Sequence, residues 1–187
     1  GGYAEMMRII PMLPQMLDTS VIVFQNMPAE LVSPLSSYLG KRSLLPIHSL
    51  DPETSPEKSS KLLSGHCYIG SHRQPVHLAK KNGIYQLEII DSNSTESSEK
   101  ESSFDFFLKS AAENFSGKIR VVLLSGAEMK HMEGLRKVKD NDGRIIVQKP
   151  DTCMIPFPLE KVAASGLADM EANPADITTY IVRNVTG

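Results

Sequence analysis

Three groups of residues in this chain have types and spacings that could do chemistry. Ser125 ends an apolar run and is soon followed by Lys130 and His131. A hydroxyl served by an amine or an imidazole is a nucleophile and base of the kind hydrolases use. A small hydroxyl residue where a strand turns into a loop also has a purely structural use. His66, Cys67, His72 and His77 lie close together and are all metal-ligating types. His66 and Cys67, however, are neighbours on a predicted strand and point to opposite faces, and no compact ligand repeat joins the four. They are expected as hairpin residues in solvent, with no metal and no other cofactor. Lys130, His131, Arg136, Lys137 and Lys139 form a basic cluster, by default the solvated face of a helix.

The elements that must position these groups centre on residues 119–148. Ile-Arg-Val-Val-Leu-Leu reads as a buried strand ending at Ser125-Gly126. Met132, Leu135 and Val138 then recur at helical spacing, Asn141-Asp142-Gly143 breaks the helix, and 145–147 begins a second buried strand. A strand, loop, helix and strand in this order cross over right-handedly and lay two parallel strands side by side. The loop 125–131 therefore opens at the carboxyl edge of the sheet, where open α/β folds keep their sites.

The rest of the chain supplies the layers around that unit. Residues 3–10 form a helix with Met6, Met7 and Ile10 on its buried face, closed by Pro11 and Pro14. Residues 20–26 are a second buried strand ending at Met27-Pro28. Ser33-Pro34 fits an N-cap and first helical position, ahead of Leu35 and Leu39. Residues 44–50 suit a short strand near an edge, since Pro46 has no N–H for a ladder, and 51–60 a surface loop. Strands at 66–69, 76–79 and 84–88 follow, the last two joined by an Asn82-Gly83 hairpin. The Ser- and Glu-rich stretch 91–102 has nothing apolar to bury and is expected as a mobile loop. Phe104, Phe107, Leu108 and Ala111 share a helix face, and two more helices fall at 159–164 and 176–185.

Length and composition bound the answer. At 187 residues and 41% hydrophobic content, one domain with a real core is expected. A net charge of −2 recommends neither nucleic acid nor an anionic membrane as partner. The two cysteines, Cys67 and Cys153, are far apart and read as buried thiols in a reducing compartment. No apolar run approaches the roughly 20 residues of a membrane span. A soluble cytoplasmic protein is expected.

Taken together, the segments resemble the catalytic domain of the chemotaxis protein-glutamate methylesterases, the CheB type. Gly1-Gly2 and the helix closing at Leu13-Pro14 are similar to that family's Gly-Gly, helix and Leu-Pro. Val21-Ile-Val-Phe-Gln-Asn-Met-Pro28 resembles a strand ending Gln-His-Met-Pro, and Gly65-His-Cys-Tyr-Ile69 a Gly-x-x-Tyr-Ile segment. Ser103 to Glu113 resembles the family's Ser-Val-Asp helix, and Val147-Gln148, Asp151-Thr152 and Pro158 its last strand and turn. The resemblance implies a three-layer α/β sandwich with a Rossmann-like, mostly parallel sheet and an antiparallel hairpin at one side.

It also implies an activity, hydrolysis of glutamate methyl esters on chemoreceptor helices with a related deamidation of glutamine, carried out by a Ser, His and Asp. Here the family's His position is Asn26, an amide that cannot relay a proton near neutral pH. Its Asp position is Lys130, a cation where an imidazolium needs an anion. Its Ser would precede Gly1. The Met-Gly after the family's strand is Ala127-Glu128, which also alters the backbone donors an oxyanion needs. The expected site is thus a former cleft made of Gly1, Gly2, Asn26, Met27, Ser125, Gly126, Lys130 and His131. It is expected to bind a protein, chemoreceptor-like or another signalling domain, and at Lys130 to favour a carboxylate. An active hydrolase with a rewired site is the alternative. The family's first strand, before Gly-Gly, is expected either upstream of Gly1 or replaced by another segment or chain, because the neighbouring strands would otherwise carry unpaired backbone groups.

Overall fold

The structure is a computed structural model that describes residues 2–15, 18–53, 58–90, 102–115 and 117–185. Its first half alternates helices and strands. Helix α1 (Gly2–Met12) leads to strand β1 (Val21–Gln25), a 3-10 turn at Ala29–Leu31, helix α2 (Val32–Gly40) and strand β2 (Ile47–Leu50). Strands β3 (Ser59–Lys61), β4 (Cys67–Ser71), β5 (Val76–Lys81) and β6 (Ile84–Ile89) precede helix α3 (Ser103–Asn114). The second half is strand β7 (Arg120–Leu123), helix α4 (Glu133–Asp140), strand β8 (Arg144–Gln148), helix α5 (Phe157–Ala164), strand β9 (Met170–Ala172) and helix α6 (Pro174–Val185).

Among the described residues the strands form three sheets of three. Two are parallel, in the orders β1-β4-β2 and β7-β8-β9, and the third, β3-β6-β5, is antiparallel. Alternation along the parallel strands divides their side chains between two helical layers. Cys67, Ile69 and Ile146 pack with Met6, Ile9 and Ile10 of α1, Leu35 and Leu39 of α2 and Ile177 of α6. Tyr68, Ile145 and Val147 pack on the opposite side with Phe107 and Leu108 of α3, Leu135 and Val138 of α4 and Leu159 and Val162 of α5. Helices therefore cover both faces, giving the expected three-layer sandwich. The antiparallel sheet lies on α3, where Ser110 Oγ accepts the Leu78 N–H at 3.0 Å. Asn82 and Gly83, with φ of 50° and 80°, make the tight turn of the β5–β6 hairpin.

Local differences from the sequence reading have simple causes. Helix α1 continues through Pro11 to Met12, since a proline in the last turn removes one N–H without blocking the residues before it. Helix α2 starts at Val32, directly from the 3-10 turn, so Ser33 and Pro34 sit inside its first turn, and the N-cap is Leu31 with no side-chain bond. A proline is tolerated there because first-turn N–H groups have no intrahelical acceptor. Strand β2 begins only after Pro46 and is an edge strand, as its sequence suggested. Segment 51–60 contains β3 at its end, while 54–57 lies outside the described residues. So does 91–101, the stretch expected to be mobile. Ser102 N-caps α3 by accepting the Asp105 N–H. No helix among the described residues is long and apolar enough to cross a membrane.

Candidate functional site

The loops after β1, β4 and β7 meet at one place. Strands β1 and β4 run parallel, as do β7 and β8. Residues Val21 to Asn26 and Ile119 to Glu128 both line a single cavity of about 700 Å³ between the two parallel sheets. Among the described residues β1 pairs only with β4 and β7 only with β8, so each presents its second edge to this cavity. The wall is largely apolar, with Met6, Ile9 and Ile10 of α1 on one side and Phe104, Phe107 and Leu108 of α3 on the other. At the carboxyl ends of the strands the lining turns polar, through Asn26, His72, Ser125 and Glu128.

Ser125 holds the turn after β7. Its N–H donates to Gln148 Oε1 at 2.9 Å, its Oγ accepts the Met154 N–H at 3.2 Å, and its carbonyl accepts the Gly2 N–H at 2.8 Å. The Gln148 amide reaches on to Thr152, donating to its carbonyl and hydroxyl oxygens at 3.2 Å each. Gly2 approaches so closely that a Cβ there would stand 2.5 Å from the Ser125 carbonyl oxygen, and only glycine leaves room for the bond. Gly126 completes the turn at φ +85°. Ser125 is 7% exposed, and its three contacts describe a turn residue that ties β7, β8 and α1 together.

An imidazole and a carboxylate do meet at the mouth, at positions the sequence reading had not joined. His72 Nε2 lies 3.2 Å from Glu128 Oε2, and Glu128 Oε1 lies 3.2 Å from Lys130 Nζ. Burial pushes the imidazole below its ordinary range; the Glu128 carboxylate pulls it back, the Arg73 charge lowers it, the Gln25 carbonyl raises it and the Lys130 charge lowers it again. His72 follows β4 in one parallel sheet, whereas Glu128 follows β7 in the other. The pair therefore bridges the two sheets across the end of the cavity.

The residues singled out from sequence separate into two sets. Gly2, Asn26, Ser125 and Gly126 line the cavity, while Met27, Lys130 and His131 stand outside its wall. Gly1 lies outside the described residues. Asn26 is exposed, and Met27 offers its carbonyl to Ser71 Oγ. Lys130 is 61% exposed and reaches the cleft through Glu128. The four residues of metal-ligating type do not converge. His66 Nδ1 lies 2.7 Å from His48 Nε2, and His77 packs on Phe106. Burial pushes the Cys67 thiol up to about 12, far from the thiolate a metal takes. Cys153, expected to be buried, is half-buried.

Two side-chain contacts had no signal in sequence periodicity: the His72–Glu128 pair and the His48–His66 pair, both of which join segments distant along the chain. Gln148 did carry a signal. An amide at the end of a strand buried on both faces must find partners, and the facing turn at Ser125 supplies one.

Comparison with known proteins agrees with this geometry. The model of the CheB methylesterase family matches residues 1–181. A protein-glutamate methylesterase/protein-glutamine glutaminase of Moorella thermoacetica is 28% identical over 196 residues, covering 100% of this chain and 42% of that protein. One of Nitratidesulfovibrio vulgaris is 22% identical over 185 residues, covering 99% and 48%. The chain thus spans about half the length of the curated relatives it matches. The crystal structure of the Thermotoga maritima CheB methylesterase catalytic domain superposes with a TM-score of 0.79 at 24% identity, covering 99% of this chain and 94% of that one, a likeness of fold. With a family match that takes in almost every residue and an architecture to go with it, the chain belongs to the CheB methylesterase family.

Proposed function

We propose that this domain serves a chemotaxis-type signalling protein by binding a protein partner at the carboxyl-edge cleft, without the family's proton relay. The partner class is the one the relatives' names imply, a protein carrying glutamate methyl esters or glutamine side chains. The observation that carries the reading is what occupies the relay positions. Asn26 cannot accept a proton from a nucleophile. Lys130 is cationic, and Glu128 holds it outside the cavity wall. At the rim, Lys130 and His131 favour a carboxylate on the partner.

The two strand edges facing the cavity support a companion proposal, that a further parallel strand lies between β1 and β7. The Gly2 N–H is anchored on the Ser125 carbonyl at the carboxyl mouth. A strand running up the cavity would therefore deliver the chain to the start of α1, and α1 would make the crossover to β1. Residues preceding Gly1 are the simplest source of that strand.

A second reading, an active ester or amide hydrolase with a rewired site, is favoured by the His72–Glu128 pair, which sets an imidazole against a carboxylate in the same cleft. One experiment separates the two. Methanol release from a methyl-esterified chemoreceptor is measured with the full natural chain, beside its Asn26→Ala, Lys130→Ala and His72→Ala variants. Absence of release from a folded protein that still binds the receptor is the expected result. Release that any of the three substitutions abolishes would establish the hydrolase instead. In the same samples, unchanged binding of an acidic peptide after Lys130→Ala would remove the carboxylate from the proposal.

A further inference from the structure

Between β8 and α5 the chain leaves large apolar side chains in solvent almost in succession: Met154 is 83% exposed, Ile155 58% and Phe157 61%. Single exposed apolar side chains are ordinary, but a contiguous group of them marks a contact surface. This group is held still. The Met154 N–H donates to Ser125 Oγ at 3.2 Å, and the Cys153 N–H to the Pro150 carbonyl at 3.0 Å. In the helix that follows, Leu159 and Val162 are wholly buried, and Lys161 Nζ sits 4.5 Å from the centre of the Phe157 ring. A segment anchored in this way loses little freedom when a partner covers it.

Its place in the fold gives the surface a direction. Strands β7, β8 and β9 are successive neighbours, so the turn at Ser125, the segment after β8 and Glu171 of β9 follow one another across the sheet. Two strand spacings cover about 10 Å. The Met154–Ser125 bond joins the segment to the mouth of the cavity. Cys153 and Pro156 of the same segment line an open depression of about 640 Å³ together with Lys149, Asp151, Glu160 and Glu171. Three carboxylates against one ammonium make it acidic, and among the described residues none of the three is in an ion pair.

We propose that this surface is a second contact for the protein partner taken by the cleft. Met154, Ile155 and Phe157 receive an apolar stretch of that partner, and the acidic depression beside them receives a Lys or Arg side chain next to the stretch. The inference rests on the proposed binding at the cleft and deepens it, by stating what must flank the side chain that enters. Charge selects the occupant. A second copy of this chain docking patch to patch would set one acidic depression against another, and an acidic segment would be repelled in the same way. A basic side chain is matched. The loop after β7 carries the exposed Lys130, so the charge turns from positive to negative between β7 and β9, and a partner segment fits in one direction better than in the reverse. Its basic residue then lies about 10 Å from the group at the mouth.

The test is the affinity of the full natural chain for a methyl-esterified chemoreceptor, measured by titration calorimetry at several salt concentrations. Ile155→Ser combined with Phe157→Ser should weaken binding about tenfold or more, as the loss of apolar anchors does. Glu160→Gln combined with Glu171→Gln should weaken it severalfold and flatten its dependence on salt. Leu31→Ser and Leu44→Ser, at apolar residues exposed elsewhere (51% and 64%), should leave it unchanged. Asn26→Trp, which blocks the mouth, separates this contact from the cleft. Binding lost with Asn26→Trp but kept by the Ile155 and Phe157 variant retains the cleft and overturns the second contact. Binding weakened by that variant and untouched by Asn26→Trp retains the contact and overturns the cleft. A wild type without affinity overturns both, and tighter binding after Glu160→Lys with Glu171→Lys overturns the basic side chain. Hydrogen exchange of the wild type needs no variant: the Ile155 and Phe157 amides should slow in the complex, and unchanged exchange there overturns the proposal.

Discussion

Strands β1 and β8 are written in nearly the same letters, Val-Ile-Val-Phe-Gln and Arg-Ile-Ile-Val-Gln, yet they live in different surroundings. Strand β8 pairs on both edges, and its last four residues are buried. Among the described residues strand β1 pairs with β4 alone, and each of its five residues remains partly exposed along the cavity. Burial on both faces of a parallel sheet depends on the strands alongside as much as on the helices above and below. An apolar pentapeptide tells which environment a segment suits, and only the fold tells whether that environment is complete. The mismatch at β1 is the best argument for a further strand beside it.

The largest expected effect breaks the comparison directly. Ile146→Ala in β8 removes a side chain that is 1% exposed, packed against α1 and α6, and should cost about 2–5 kcal/mol of stability. Val23→Ala in β1 should cost only about 1 kcal/mol in these 187 residues, because the side chain is only partly buried. In the full natural protein, a strand filling the cavity should bring the Val23 penalty close to that of a fully buried valine. Denaturant unfolding of both variants in both lengths of chain measures this, and equal Val23 penalties in the two would argue against the strand.

Next in size is a contact on the complete side. Helices α3 and α4 cross at Gly134, where a Cβ would stand 2.7 Å from both the Asp105 carbonyl oxygen and the Leu108 Cβ. Asp105 Oδ1 also accepts the Gly134 N–H at 2.9 Å from a fully buried position. Gly134→Ala should push the helices apart and destabilise by about 1–3 kcal/mol. Asp169 sharpens the contrast at the start of β8, where it accepts the Ile145 N–H at 2.8 Å and meets Lys139 at 2.6 Å and Arg144 at 3.2 Å. Asp169→Ala should cost about 1–2 kcal/mol. Burial tends to raise this carboxyl, but the Lys139 and Ile145 hydrogen bonds and the Lys139 and Arg144 charges outweigh it, so its folded value is lowered. Its contribution is therefore present above the ordinary carboxylate range and is lost as pH falls through that lowered value. Unfolding curves between pH 5 and pH 2 should flatten in the Ala variant (roughly the window of carboxylate titration).

Much of this architecture was legible before any coordinate. The strand, helix and strand of residues 119–148 announced themselves through buried runs of four to six residues around a helix-spaced segment, and β7, α4 and β8 occupy those places. Asn82-Gly83 marked its hairpin because few residue pairs adopt two successive positive φ values. The resemblance to the family located Asn26 and Lys130 in segments whose flanks match. What remained hidden were contacts between segments far apart in the chain. Glu128 and Lys130 were expected at the cleft but with no His72 beside them, and His72 as a hairpin residue, because spacing along one segment carries no record of which other segment it will face. Ser33-Pro34 misled for a different reason: a serine ahead of a proline satisfies the N-cap pattern, while the preceding 3-10 turn had already started the helix.

The smallest effect lies at the far side of the β1 sheet, where two histidines tie β2 to the start of β4. His48 Nε2 and His66 Nδ1 are 2.7 Å apart, and the rings stack on each other and on Tyr68. One proton between two nitrogens makes a bond, whereas a proton on both leaves two donors facing and two charges adjacent. Burial first, and then the His66 charge, hold His48 below the ordinary imidazole value. Since the folded form resists protonation more than the unfolded one, stability is complete above about pH 6.5 and declines as pH falls below it. The loss should be about 0.5–1.5 kcal/mol, the worth of one hydrogen bond. His48→Phe keeps the stacked ring and removes the titration, so its stability should change less between pH 7.5 and pH 5.5 than that of the wild type (about one unit either side of the ordinary value). Because burial also holds the His72 imidazole below its ordinary value, the comparison is made in a His72→Gln background. If the two proteins then lose stability in parallel, the histidine pair is not what acid acts on.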